Sequence, residues 1–170
     1  VIRLLAILIL LFATRCASAQ TTAGQAFRVN VPTSAAITAA GGLQQLVHDE
    51  TNADQVFSPQ NWTVKANAPG GVSVSFTAQT PFNHVNQPFQ RDVGLALAVG
   101  NIAGPGSWNV GTADAASDYA SGLSEATVSA SSNGIGRAEL ALTVRFITDT
   151  FGTFATGDYN TTIVGTVTAN

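Results

Sequence analysis

Cysteine is almost missing from this chain of 170 residues: Cys16 is the only one, and methionine is absent altogether. Cys16 sits inside the apolar N-terminal stretch, so the remainder of the chain can form neither a disulfide nor a thiolate metal site. Charge is also scarce, with 10% Asp, Glu, Lys and Arg against about 25% in an ordinary soluble domain. Basic residues beyond the N-terminus are Arg28, Lys65, Arg91, Arg137 and Arg145, scattered singly. Nucleic-acid binding draws its affinity from clustered cations that displace counterions, and no cluster is present. The longest apolar run, Leu4 to Phe12, is too short to cross a bilayer, which takes about twenty residues. Histidine occurs twice, as His48 and His84, and neither lies in a nucleophile motif such as G-x-S-x-G, so hydrolytic triads lack their parts.

The first nineteen residues combine a basic start at Arg3, the apolar run, and the small-residue triplet Ala17-Ser18-Ala19. These are the three parts of a secretory signal, predicting cleavage after Ala19 and an exported domain over residues 20–170. Lipidation of Cys16 is disfavoured because Arg15 precedes it where lipoprotein signals want a small residue. The absence of a starting Met fits a non-AUG start codon or a trimmed beginning. The exported part has the size of one domain, with no stable membrane span after signal removal.

Period-two alternation dominates from there on. Val72, Val74, Phe76 and Ala78 share one face of a strand, with Ser73, Ser75 and Thr77 on the other. Upstream, Trp62, Val64 and Ala66 alternate with Thr63, Lys65 and Asn67, and Ala68-Pro69-Gly70-Gly71 supplies a turn, so the pair reads as a hairpin. Ala126, Val128 and Ala130, the turn Ser132-Asn133-Gly134, and a return strand carrying Ala138, Leu140, Leu142, Val144 and Phe146 read as a second hairpin. A third pairing joins that strand, across the aromatic loop 148–157, to the segment from Tyr159 to Thr168. Further strands are expected at Phe27–Val31, Ser34–Ala39, Val93–Val99 and Trp108–Val110. Leu43, Leu46 and Val47 fall at helical spacing, enough for one or two turns or a loop. The predicted fold is all-β: a single antiparallel immunoglobulin-like sandwich of about seven to nine strands. Its expected core is Val29, Val31, Trp62, Val64, Val72, Val74, Phe76, Leu95, Leu97, Val128, Leu140, Leu142, Val144, Phe146 and Ile163.

Candidate chemistry is sparse. His48 adjoins Asp49-Glu50, a grouping that exposed loop polarity explains without a metal or an acid–base pair. Asp114 and Asp118 are spaced too loosely for a calcium loop of the D-x-D-x-D-G kind. No catalytic, metal or cofactor site is expected. Trp108 and Tyr119, in polar Gly-rich loops, are the candidate ligand contacts. Asn61-Trp62-Thr63 and Asn160-Thr161-Thr162 match the glycosylation acceptor pattern, which matters only in a host that glycosylates exported chains.

The run Gly157-Asp158-Tyr159 through Thr168, a Gly turn, a Tyr and then Thr-rich alternation, resembles the final strand of bacterial secreted pilin-like sandwiches of the spore-coat-U type. Wall-bound domains of the WxL type finish comparably. The resemblance covers about twelve residues and departs from the pilin pattern in lacking cysteines. It implies an immunoglobulin-like sandwich at the cell envelope and transfers no catalytic residue. The expected function is therefore an exported, non-catalytic structural or surface protein, a pilus, fibre or envelope-matrix subunit that is not an enzyme. The alternative is an extracellular carbohydrate- or polymer-binding module. Expected partners are other copies or other envelope proteins, joined by edge-strand pairing. Phe27–Val31 either pairs within its own sandwich, as the core above takes it, or is donated to a neighbour's open edge such as the uncharged Thr161–Thr168.

Overall fold

The computed structural model describes residues 23–170. The signal segment, with Arg3, Cys16 and the Ala17-Ser18-Ala19 triplet, lies outside them. Residues 23–31 carry no regular secondary structure, and all strands fall within a compact unit, Pro32–Asn170. In chain order these are Ser34–Thr38 (β1), Gln55–Val56 (β2), Gln60–Asn67 (β3), Val72–Ala78 (β4), Phe82–His84 (β5), Gln90–Arg91 (β6) and Val93–Ala103 (β7). Then follow Trp108–Thr112 (β8), Asp114–Ala116 (β9), Ala126–Ser132 (β10), Gly136–Phe146 (β11), Tyr159–Asn160 (β12) and Ile163–Ala169 (β13). The only helix among the described residues is the 3₁₀ turn Tyr119–Ser121. Leu43, Leu46 and Val47 belong to irregular chain and are exposed.

Two antiparallel sheets form a sandwich. The first runs β1-β3-β11-β7-β9, with β2 pairing β11; the second runs β13-β4-β10-β8. A small third sheet, β12-β5-β6, lies at one end. The core is filled by the apolar half of each alternating strand: Val64 and Ala66, Val72, Val74 and Phe76, Val93, Leu95 and Leu97, Val128, and Ala138, Leu140 and Leu142 are all buried. Trp62, Val144 and Ile163 pack against this cluster while remaining half-exposed. Each strand thus hides the face its pattern marks, the physical meaning of a period of two.

The strand partners differ from those the sequence suggests. Neither expected hairpin exists. β3 belongs to the first sheet and β4 to the second, and likewise β11 to the first and β10 to the second. Residues 68–71 and 133–135 are arches that carry the chain across the sandwich. Inward-facing apolar residues suit either geometry, because a hairpin and an arch both turn those faces to the core. Packing decides between them. Ala68 is buried inside its arch, and Gly71 N–H donates to the Ala68 carbonyl at 2.9 Å. Gly71 has φ 80°, and a Cβ there would overlap the Ser132 carbonyl oxygen. The buried Ser132 hydroxyl accepts from Val72 N–H at 3.0 Å and donates to the Gly134 carbonyl at 3.3 Å. Two arches are thereby locked to each other. A third crossing, from β7 to β8, joins them: Gly106 N–H donates to the Ile135 carbonyl, and Asn133 exchanges bonds with Ser107.

The third expected pairing also fails. β13 pairs with β4, and β12 with β5; neither touches β11 as a ladder partner. The strand expected at Phe27–Val31 is absent. Val29 and Val31, assigned to the core from sequence, are 86% and 68% exposed. Their alternation is that of a strand, but no ladder among the described residues receives them.

Candidate functional site

Three features are left unexplained by composition: the exposed segment before β1, the uncharged sheet edges, and the aromatic end of the sandwich.

Phe27, Val29 and Val31 alternate with Arg28 and Asn30, and Phe27 is 85% exposed. Exposed large apolar residues in strand alternation are costly to leave in water. β13 forms one edge of the second sheet, with β4 as its only ladder partner among the described residues and Ile37 of β1 packed against Gly165. Its outward row contains Val164, Thr166 and Thr168, and no residue from Ile163 to Ala169 is charged. β1, the edge of the first sheet, is likewise uncharged over Ser34–Thr38. Short, uncharged edges of this kind lack the lysines and prolines that usually block pairing with another chain.

At the other extreme, β11 ends in an aromatic cluster. Phe146 meets Phe82, Phe154 and Tyr159 at centroid distances of 5.2, 5.8 and 5.6 Å. The loop 147–158 closes over it and is tied down from several sides. Arg91, buried, donates from Nε to the Ile147 carbonyl at 3.2 Å and from Nη2 to the Thr148 carbonyl, and lies 5.0 Å over the Phe154 ring. Asp54 accepts from Thr148 N–H, and Asn52 from Phe151 N–H. Burial pushes the Tyr159 phenol above its ordinary pKa, keeping it a neutral donor to the Ala155 carbonyl at 3.0 Å.

Both histidines reach this loop, His48 from the irregular chain between β1 and β2 and His84 from the end of β5. His48 Nδ1 accepts from Glu50 N–H at 2.9 Å, which leaves Nε2–H to donate to Thr148 Oγ1 at 3.0 Å. His84 repeats the arrangement: Nδ1 accepts from Asn86 N–H at 3.0 Å, and Nε2–H donates to the Thr156 carbonyl at 3.1 Å. Gly157, at φ 137°, makes room for the His84 ring, since a Cβ there would strike it. With both nitrogens of both rings occupied, the histidines act as braces for the loop. Asp49 serves locally as well. Its Oδ1 accepts from the Thr51 hydroxyl at 2.8 Å, Thr51 N–H at 3.0 Å and Gln55 Nε2 at 2.7 Å, and the Thr51 bonds hold its carboxyl below the usual range.

Trp108 and Tyr119 do not converge. Trp108 pairs with Ser132 at the arch end, packs on the core, and buries an indole N–H that meets no protein acceptor. Tyr119 begins the 3₁₀ turn at the other end, its N–H donating to Asp92 at 2.9 Å. Asp114 lies in β9 and Asp118 caps that turn through its own carboxylate. Among the described residues no group of three or more metal-type ligands is assembled. Sequence reading missed Arg91, which the structure makes the hub of the aromatic end. A lone arginine between Gln90 and Asp92 gives no local sign of the loop carbonyls it will meet fifty-odd residues later. Comparison with protein-family models, with curated proteins and with solved structures finds no match.

Proposed function

We propose that this chain is an exported, non-catalytic structural subunit of a fibre or envelope layer, joined to its neighbours by strand pairing at the sheet edges. The observation that carries the reading is the Phe27–Val31 segment, an apolar strand pattern with no ladder among the described residues and with its apolar side chains 68–86% exposed. The uncharged edges at β1 and β13 supply the complementary half, since an added strand satisfies a whole row of backbone donors and acceptors at once. Export is supported by the three-part N-terminal signal, and the envelope setting by the likeness of residues 157–168 to the closing strand of pilin-like domains. The histidines, spent as braces, support a structural over a catalytic role.

Electron microscopy of the exported protein tests the proposal. Filaments or sheets are expected, and they should vanish on deletion of residues 20–31 or in Val29→Asp while far-UV circular dichroism stays that of a folded β-domain. Monodisperse monomers of the unaltered protein, or loss of the fold itself on deletion, would overturn it.

A further inference from the structure

The outer faces of the two sheets differ in chemistry. The first carries Lys65, Arg137, Glu139 and Arg145, with Lys65 and Arg137 directly opposite each other in the ladder. The second carries no ionisable side chain on β4, β8, β10 or β13. In its place the strand register aligns hydroxyls in rows across the sheet: Thr168, Ser73 and Ser131 in one, Thr166, Ser75 and Ser129 in the next. A shallow depression of about 290 Å³ is lined by these two rows.

We propose that this face is a docking surface for an uncharged, hydroxyl-rich polymer, namely an extended neutral glycan chain. A hydroxyl both donates and accepts, so rows of them match a ligand whose own hydroxyls do the same. A face with no charge offers no ionic attraction that would favour an anionic or cationic polymer over a neutral one. Strands lie about 4.8 Å apart, close to the length of one sugar unit in an extended glycan. A chain laid across the strands therefore meets a fresh hydroxyl column at each residue. Area argues against a second copy as the occupant. Four strands of this length present roughly 400 Å², and a twofold pairing of two such faces would bury about 800 Å², below the roughly 1,200 Å² of a stable interface. A polymer that continues past one domain escapes that limit, because many domains bind the same chain together. The hydroxyl rows share β13 with the proposed receptive edge but take no part of Phe27–Val31, so loss of filaments in Val29→Asp leaves glycan adsorption to be read by itself.

Sedimentation with microcrystalline cellulose, chitin and an insoluble β-1,3-glucan, with polygalacturonate as the anionic control, tests the proposal. Adsorption to at least one neutral glycan, unaffected by salt, is expected. Ser75→Lys, in the middle of a row, should weaken it about tenfold or more, as loss of one or two hydrogen bonds and a desolvated charge require. Ser73→Lys, exposed on the central strand β4 in the neighbouring row, should do the same and serves if Ser75→Lys does not fold. Adsorption to none of the three glycans, undiminished adsorption in the folded variants, or a preference for polygalacturonate would each overturn the proposal. So would a dimer that either lysine disperses, which would assign the face to self-association.

Discussion

The two ends of the sandwich are closed by opposite means. At the arch end the chain passes between sheets three times, and main chain lies directly on main chain: Gly71 under Ser132, Gly106 beside Gly134. At the aromatic end the sheets are plugged by rings, and a long loop is fastened over them by side chains reaching backbone carbonyls and amides. The first closure depends on having no side chain, the second on having large ones. Their tolerance of change should differ accordingly. A backbone-on-backbone contact cannot yield by rotating a side chain, whereas a ring cluster can repack around a loss.

The largest expected effect breaks the arch end. Gly71→Ala forces a side chain into positive φ and into the Ser132 carbonyl, and should cost more than about 3 kcal/mol or prevent folding. Its counterpart in the aromatic loop, Gly152→Ala, has a similar φ of 85° but open space around it, and should cost only about 1 kcal/mol. Urea denaturation of the two variants measures the contrast directly; equal losses would mean that φ rather than backbone contact governs both sites.

An intermediate effect belongs to the aromatic end. Arg91→Met keeps an apolar stem beneath Phe154 but removes the donors to the Ile147 and Thr148 carbonyls. A loss of about 1–3 kcal/mol is expected, the cost of leaving buried acceptors unmet. Amide exchange should rise in residues 147–158 and stay unchanged in residues 68–71 and 132–136. Exchange that rises at both ends would show the two closures to be one cooperative unit.

The smallest effect is a pH dependence at Asp49. Because its folded carboxyl is held below the usual range by Thr51, the ionised form adds stability that is present above about pH 4 and fades as pH falls through the lowered folded value. The carboxyl is fully exposed, so the change is slight. Asp49→Asn should therefore be marginally less stable than the unaltered chain at neutral pH, and the difference should close in acid. A difference that persists at pH 2 would place the role of Asp49 in side-chain geometry, not charge.

What was legible from sequence follows from how local each signal is. The buried half of β4, β10 and β11 could be read residue by residue, because alternation depends only on the strand's own geometry. Tyr159, Gly157 and the loop 148–157 stood out as an aromatic turn, yet their anchor, Arg91, sits far away in the chain. Phe27–Val31 carries a strand pattern that places it in the core; its exposure shows that alternation marks a surface able to be buried, not one that is.

Turn composition has the same limit. Pro69-Gly70-Gly71 and Ser132-Asn133-Gly134 announce sharp reversals, and reversals occur at both places. Whether a reversal returns the strand alongside its predecessor or carries it to the facing sheet depends on which partner edges are available. Here β3 is taken by β1 and β11, and β4 by β10 and β13, leaving neither strand an open side for the other. That the chain is built of strands, which face of each is apolar, and where it turns are all written locally, since these rest on the period of two and on glycine and proline geometry. The strand partners, the locking of the arches, the bracing roles of His48, His84 and Arg91, and the uncharged face of the second sheet emerge with the folded arrangement. All of these depend on contacts between residues distant in the chain, whose energies no local pattern records.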